Sequence, residues 1–141
     1  MTGTVADLEI EDEFTTILPS ATIQDAARNL RDNSVAFVVV WDGENTKQPM
    51  GILSDRIIIE EVVAEGRSVT STTVEDAMKK DPPIVKKADT VTHCLELLSE
   101  HNLPCLPVCD GGKLVGVVTL SDVMGAGVVW DIDEEGLEEG H

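Results

Sequence analysis

The chain has 141 residues, 42% of them hydrophobic, enough for one ordinary domain or two small ones packed around a shared core. A formal charge of −17, from 27 acidic against 10 basic residues, argues against nucleic acid or an anionic membrane as a partner. With two Phe, two Trp and no Tyr there is no stacking platform for single strands, and the core falls to Val, Ile, Leu and Ala.

In chain order, Ile17 lies in a short first strand. Thr22-x-x-Asp25 then has the form of an N-cap box, followed by Ile23, Ala26, Ala27 and Leu30 on one helical face. Val35–Trp41 is a nearly continuous apolar run, the signature of a strand buried on both faces. After a loop over 42–48 come a strand at Met50–Leu53 and a helix at Ser54–Glu65 stopped by Gly66. The stretch Arg67–Thr73, rich in Ser and Thr, reads as a connector.

The same series then recurs. Ile84-Val85 is a short strand entered through Pro82-Pro83, and Thr90 caps a helix whose stripe is Val91, Cys94, Leu95 and Leu98. Leu103–Val108 is extended, with its prolines pointing to an edge or strand end. Asp110-Gly111-Gly112-Lys113 is a hairpin turn, Leu114–Val118 a strand, and Thr119-Leu120-Ser121-Asp122 opens a last helix. Beyond Gly127 lie an apolar segment, Val128–Trp130, and an acidic tail with the composition of a disordered segment.

The chain is therefore written twice. An offset of 68 relates Thr22-Ile23…Ala26-Ala27…Leu30 to Thr90-Val91…Cys94-Leu95…Leu98. It falls to 65 between Gly51-Ile52-Leu53-Ser54 and Gly116-Val117-Val118-Thr119, so the first copy has three extra loop residues. Two copies of this size describe a tandem pair with one core, not a solenoid. The boundaries expected are a first repeat over 1–66, a connector over 67–73, a second repeat over 74–127 and a terminal segment over 128–141.

Two βαββα repeats, each ending in a glycine-led strand and a Ser or Thr at the helix start, resemble paired cystathionine-β-synthase (CBS) domains, the Bateman module. The resemblance covers residues 3–125 and implies an α/β (α+β) fold with the repeats packed as a pseudo-twofold pair. It further implies a homodimer, regulation of an effector protein without catalysis, and an adenosine-containing ligand in the inter-repeat cleft, either an adenine nucleotide or S-adenosylmethionine. The family's ligand signature, G-h-x-[ST]-x-[ST]-D, stands complete in the second repeat as Gly116-Val117-Val118-Thr119-Leu120-Ser121-Asp122.

The chemistry of these residue types fits that role. Asp122 is suited to accept hydrogen bonds from vicinal ribose hydroxyls. Thr119 and Ser121 stand at a helix start, which favours a phosphate, and Gly116 permits close backbone approach. The same three polar residues also read as a plain helix cap. By matching position the resemblance places the adenine against Pro83-Ile84 and Cys105-Leu106-Pro107, residues that equally suit a core. The first repeat keeps Gly51 and Ser54 but has Ile57 where the aspartate belongs, so one good ribose site and one impaired site are expected. Arg56 is the first choice for a phosphate-facing cation and Lys113 the second.

Other chemistries have little support. Cys105 and Cys109 are four apart in an extended run, about 13 Å, which is no zinc pair, and no C-x-x-C exists, so no metal is expected. There is no nucleophile elbow, P-loop or H-E-x-x-H, so no enzyme activity is expected. Met1–Asp12 lacks a secretory pattern, no apolar run reaches the ~20 residues of a membrane span, and three cysteines point to free thiols in a reducing cytoplasm. The scattered acids suit either a high-salt, archaeal-type surface, where the Debye length shrinks to about 3 Å at 1 M, or an acidic docking face. The rival to ligand sensing is a ligand-free dimerising scaffold that docks a partner protein.

Overall fold

The structure is a computed structural model that describes residues 3–8, 14–42 and 48–125. The loop residues 43–47, the apolar segment Val128–Trp130 and the acidic tail read from the sequence lie outside these described residues. The chain divides into two compact units. The first comprises Glu13–Pro82 with Gly112–Leu114; the second comprises Met1–Asp12, Pro83–Gly111 and Val115–His141.

The first unit holds β1 (Thr16–Ile17), α1 (Ile23–Asn33), β2 (Phe37–Val40), β3 (Gly51–Ser54), α2 (Asp55–Ile58), α3 (Val74–Ala77) and β4 (Lys79–Lys80). α2 runs on as a π-turn over Ile59–Val63. The sheet order is β1-β2-β3-β4, with β1 parallel to β2 and the other pairs antiparallel. α1 forms where the capping box anticipates it: Thr22 Oγ1 accepts from the Asp25 N–H at 3.1 Å, and Asp25 Oδ2 accepts from the Thr22 N–H at 3.4 Å. Its stripe of Ile23, Ala26 and Leu30 packs with Val38 and Val40 of β2, Leu53 of β3, and Ile57, Ile58 and Val62. Burying a side chain of this size contributes about 1.5–3 kcal/mol. Val39 and Ile52 alternate with that set on the opposite face of the sheet and are also fully buried, as a two-faced strand requires.

The second unit holds a 3₁₀ turn at Val5–Asp7, α4 (Val91–His101), β5 (Cys105–Asp110), β6 (Lys113–Thr119) from Val115 onward and α5 (Leu120–Gly125). Thr90 caps α4, accepting from the His93 N–H at 3.0 Å. Gly111 and Gly112, at φ 59° and 82°, make the tight turn between β5 and β6. Val85, Val91, Cys94, Leu98, Leu106, Val108, Val118 and Val123 form its core together with Val5.

The strand register carries the sequence repeat into three dimensions. Ile17 pairs with Val40 in the first unit, and Val85 pairs with Val108 in the second; both partners shift by the same 68 residues. The two copies differ in length at this point. In the first, the Val39 N–H donates to the Thr15 carbonyl and the Trp41 N–H to that of Ile17, each at 3.0 Å. In the second, Cys109 repeats the latter bond to Val85, but the position equivalent to Val39 is Pro107, which has no N–H. The expected strand at Ile84-Val85 is therefore reduced to a single bridge, and Pro107 lies inside β5 where one ladder bond is absent.

Repeat and compact unit are different divisions of the chain. Val74–Ala77 and Lys79–Lys80, which belong by sequence to the second copy, sit in the first unit. There the Val74 N–H donates to the Ala21 carbonyl at 2.8 Å and the Ile23 N–H to that of Thr72 at 3.0 Å. Val5–Asp7 plays the same part in the second unit, where the Val91 N–H donates to the Gly3 carbonyl and the Val5 N–H to that of Asp89, both at 2.9 Å. Each unit thus takes the turn that abuts its long helix from the opening of the other copy.

Candidate functional site

Of the residues singled out from the sequence, Pro83, Ile84, Cys105, Leu106, Pro107, Gly116, Thr119, Ser121 and Asp122 lie in the second unit, and Ser54 and Arg56 in the first. Within the second unit, the Val85 N–H donates to the Pro107 carbonyl at 3.0 Å, which holds the Pro83-Ile84 segment alongside β5. β6 is the sheet neighbour of β5 and joined to it by a tight turn, so Thr119, at the end of β6, lies at the end of the sheet where β5 begins with Cys105.

Thr119 and Asp122 bind each other reciprocally. Asp122 Oδ2 accepts from the Thr119 N–H at 2.9 Å and from its hydroxyl at 3.1 Å. The Thr119 hydroxyl oxygen in turn accepts from the Asp122 N–H at 3.2 Å. The arrangement is that of a capping box at the mouth of α5. This is the helix cap that the residue types also allow, with the Thr119 hydroxyl and N–H both bonded to Asp122. The carboxylate is not exhausted. It is half-buried, and among the described residues its Oδ1 accepts no hydrogen bond. An ionised carboxylate offers about four acceptor sites, so a fixed Oδ2 leaves Oδ1 oriented and open. Ser121 is exposed and Gly116 buried.

The apolar candidates divide. Leu106 is a fully buried member of the core against α4. Cys105 and Pro107 are buried but alternate with Leu106 onto the other face of β5, while Pro83 and Ile84 remain half-buried. The three thiols are free, and burial pushes all of them up from the usual range: Cys105 and Cys109 by desolvation alone, Cys94 to about 11 by desolvation and then the nearby Asp89 charge. They stay protonated and unreactive near neutrality.

The first copy builds half of the same box. Ser54 Oγ accepts from the Ile57 N–H at 3.1 Å, but the fourth residue is hydrocarbon, 4% exposed and part of the core. Asp55 does not substitute, since α2 begins at Asp55 and its carboxylate accepts from the adjacent Arg56 N–H at 2.7 Å. Arg56 is exposed and paired with Glu60 at 3.1 Å, one helical turn away. Such exposed pairs are weak, about 0.3–0.5 kcal/mol. Lys113 is exposed.

The first unit also holds an open surface pocket of about 320 Å³. It is lined by Pro49, Met50 and Met78 together with Gln48, Glu75, Lys80 and Asp81, none of which the sequence marks by a motif. They converge only because β4 pairs with β3, setting Lys80 opposite Gly51. Among the described residues no group of three or more His, Cys, Asp or Glu is placed to hold a metal ion, and no helix is long and apolar enough to cross a membrane.

Comparison with known proteins agrees with this architecture. The CBS domain profile matches residues 5–64 and 74–129. The Bacillus subtilis protein YlbB is 32% identical over 119 residues, covering 82% of this chain and 79% of that one. Across the curated relatives it matches, the chain spans from 12% to 79% of their length, and 54% of a Methanopyrus kandleri protein to which it is 26% identical. Among solved structures, the CBS domain protein TA0289 of Thermoplasma acidophilum is 29% identical, with a TM-score of 0.78 over 89% of this chain and 69% of that one. The protein CBSX2, determined in complex with AMP, is 24% identical, with a TM-score of 0.70 over 89% of this chain and 97% of that one. With two profile matches over the greater part of its length and the two-copy register in its strands, the chain belongs to the CBS domain family.

Proposed function

We propose that this chain is a regulatory module, without chemistry of its own, that binds one adenosine-containing ligand through its second repeat. The observation that carries this reading is the Asp122 carboxylate, half-buried and fixed by Thr119 through Oδ2 alone. A carboxylate pinned in that way is pre-organised to accept hydrogen bonds from vicinal ribose hydroxyls through Oδ1, and charged acceptors of this kind are worth about 1.5–3 kcal/mol each. The AMP complex of CBSX2 supports the choice of ligand class. Pro83, Ile84 and Pro107 are the surfaces assigned to the adenine. Ile57 leaves the first repeat without the matching acceptor, so the ligand binds once per chain. Signal then arises from a difference in ligand affinity between two arrangements of the chain, read by an effector protein in the cytoplasm.

One observation favours a second, compatible reading. Ile59 and Val63, 57% and 59% exposed, follow one another at helical spacing on the extension of α2. Leu120 and Met124 do the same on α5. Exposed apolar pairs of this kind suit a partner surface, and a homodimer is the occupant proposed. Thermal unfolding with AMP, ADP, ATP and S-adenosylmethionine, run at low and molar KCl to allow for the acidic surface, separates the two. A rise in the unfolding temperature with an adenosine compound supports sensing. No rise with any of them reduces the module to a scaffold.

A further inference from the structure

The pocket in the first unit shares no residue with the Thr119–Asp122 box. Beside it a Cβ on Gly51 would collide with Met78 Sδ and come within 2.8 Å of the Lys79 carbonyl oxygen, so glycine at 51 is what lets the lining residue Met78 take its place. The charged residues around it are exposed, with their backbones held by separate segments. The Glu75 N–H donates to the Pro19 carbonyl and the Asp81 N–H to that of Met50, each at 3.0 Å. Lys80 is held by the β3–β4 ladder.

These three charges do not satisfy one another. Among the described residues, Glu75, Lys80 and Asp81 are in no ion pair, although one cation and two carboxylates line the same pocket. Their complement is a molecule carrying a carboxylate for Lys80 and an ammonium for Glu75 and Asp81, with an apolar body to cover Pro49, Met50 and the Met78 thioether. Two acids to one base also disfavour a plain anion. At about 320 Å³ the pocket lies at the small end of ligand sites, which run to about 1,000 Å³. We infer that this pocket is a second effector site, and that it takes a free α-amino acid with an apolar side chain.

The test is calorimetric titration of the full chain with L-leucine and L-methionine. Dissociation constants of about 1 mM or tighter are expected. Isocaproate, which lacks the ammonium, and isopentylamine, which lacks the carboxylate, should bind at least about tenfold more weakly. Lys80→Gln and Glu75→Gln alter exposed side chains, so the fold should survive, and each should weaken leucine binding at least about fivefold. Titrating AMP into the same variants reads the Thr119–Asp122 site separately, and its binding should be unchanged. Absence of binding by either amino acid at about 10 mM, binding of the truncated analogues as tight as that of leucine, or wild-type leucine affinity in both variants would each overturn the assignment.

Discussion

Thr119 gives Asp122 two hydrogen bonds and takes one back, all through the same pair of side-chain oxygens, Thr119 Oγ1 and Asp122 Oδ2. The cap that starts α5 and the proposed sugar-binding carboxylate are therefore one structure. What aims Asp122 is the threonine three residues earlier, so stability and recognition are coupled at this point.

That coupling predicts the behaviour of Thr119→Val. The change preserves shape and removes the hydroxyl, costing about 1 kcal/mol of stability, within the range for lost helix caps. Nucleoside affinity should fall as well, because Oδ2 loses one of its two donors. Thr119→Ser should restore both properties. Urea unfolding and calorimetry on the two variants check this, and a Val variant with wild-type affinity would separate the cap from the site.

Ile57 stands where the first copy would need an aspartate, and its side chain belongs to the core with Leu53, Ile58 and Val62. Ile57→Asp should destabilise the chain by at least ~3 kcal/mol, combining the lost hydrocarbon with a poorly solvated carboxylate. Urea unfolding measures it. A loss below about 1 kcal/mol would show that the first copy accommodates a carboxylate as readily as the second.

The buried thiols make stability depend on alkaline pH. The Cys94 thiol titrates near 11 in the folded chain, above its unfolded value, so folding favours the protonated form. Its contribution is complete below the ordinary thiol value of 9.0 and is lost as pH rises from there towards about 11. The unfolding temperature should fall across that window, and Cys94→Ala should flatten the fall in part, with Cys105 and Cys109 supplying the rest in the same direction. Circular dichroism melts at stepped pH read it directly. An identical slope in the variant would remove Cys94 from the account.

The elements legible in the sequence are those whose signals are local. Thr22 and Thr90 announce α1 and α4 within four residues, the apolar stripes name the buried faces, and Gly111-Gly112 dictates its turn. What stays hidden is decided by distant partners. Lys79-Lys80 has no apolar alternation and becomes β4 only by pairing with Gly51-Ile52. Val5–Asp7 is ordered against Asp89–Val91, more than eighty residues away. Within the candidate site, the sequence identified Asp122 as an acceptor and as a cap; the geometry shows one oxygen assigned to the cap and the other left over. The Met50–Lys80 hollow could not be read at all, since it exists only once β3 and β4 meet.

The most direct measurement is calorimetric titration of AMP into the wild-type chain and Asp122→Ala. One binding event per wild-type chain is predicted, weakened in the variant by about 1.5–3 kcal/mol, or roughly ten- to a hundredfold. Equal affinity in the two proteins would contradict the claim that this carboxylate grips the sugar.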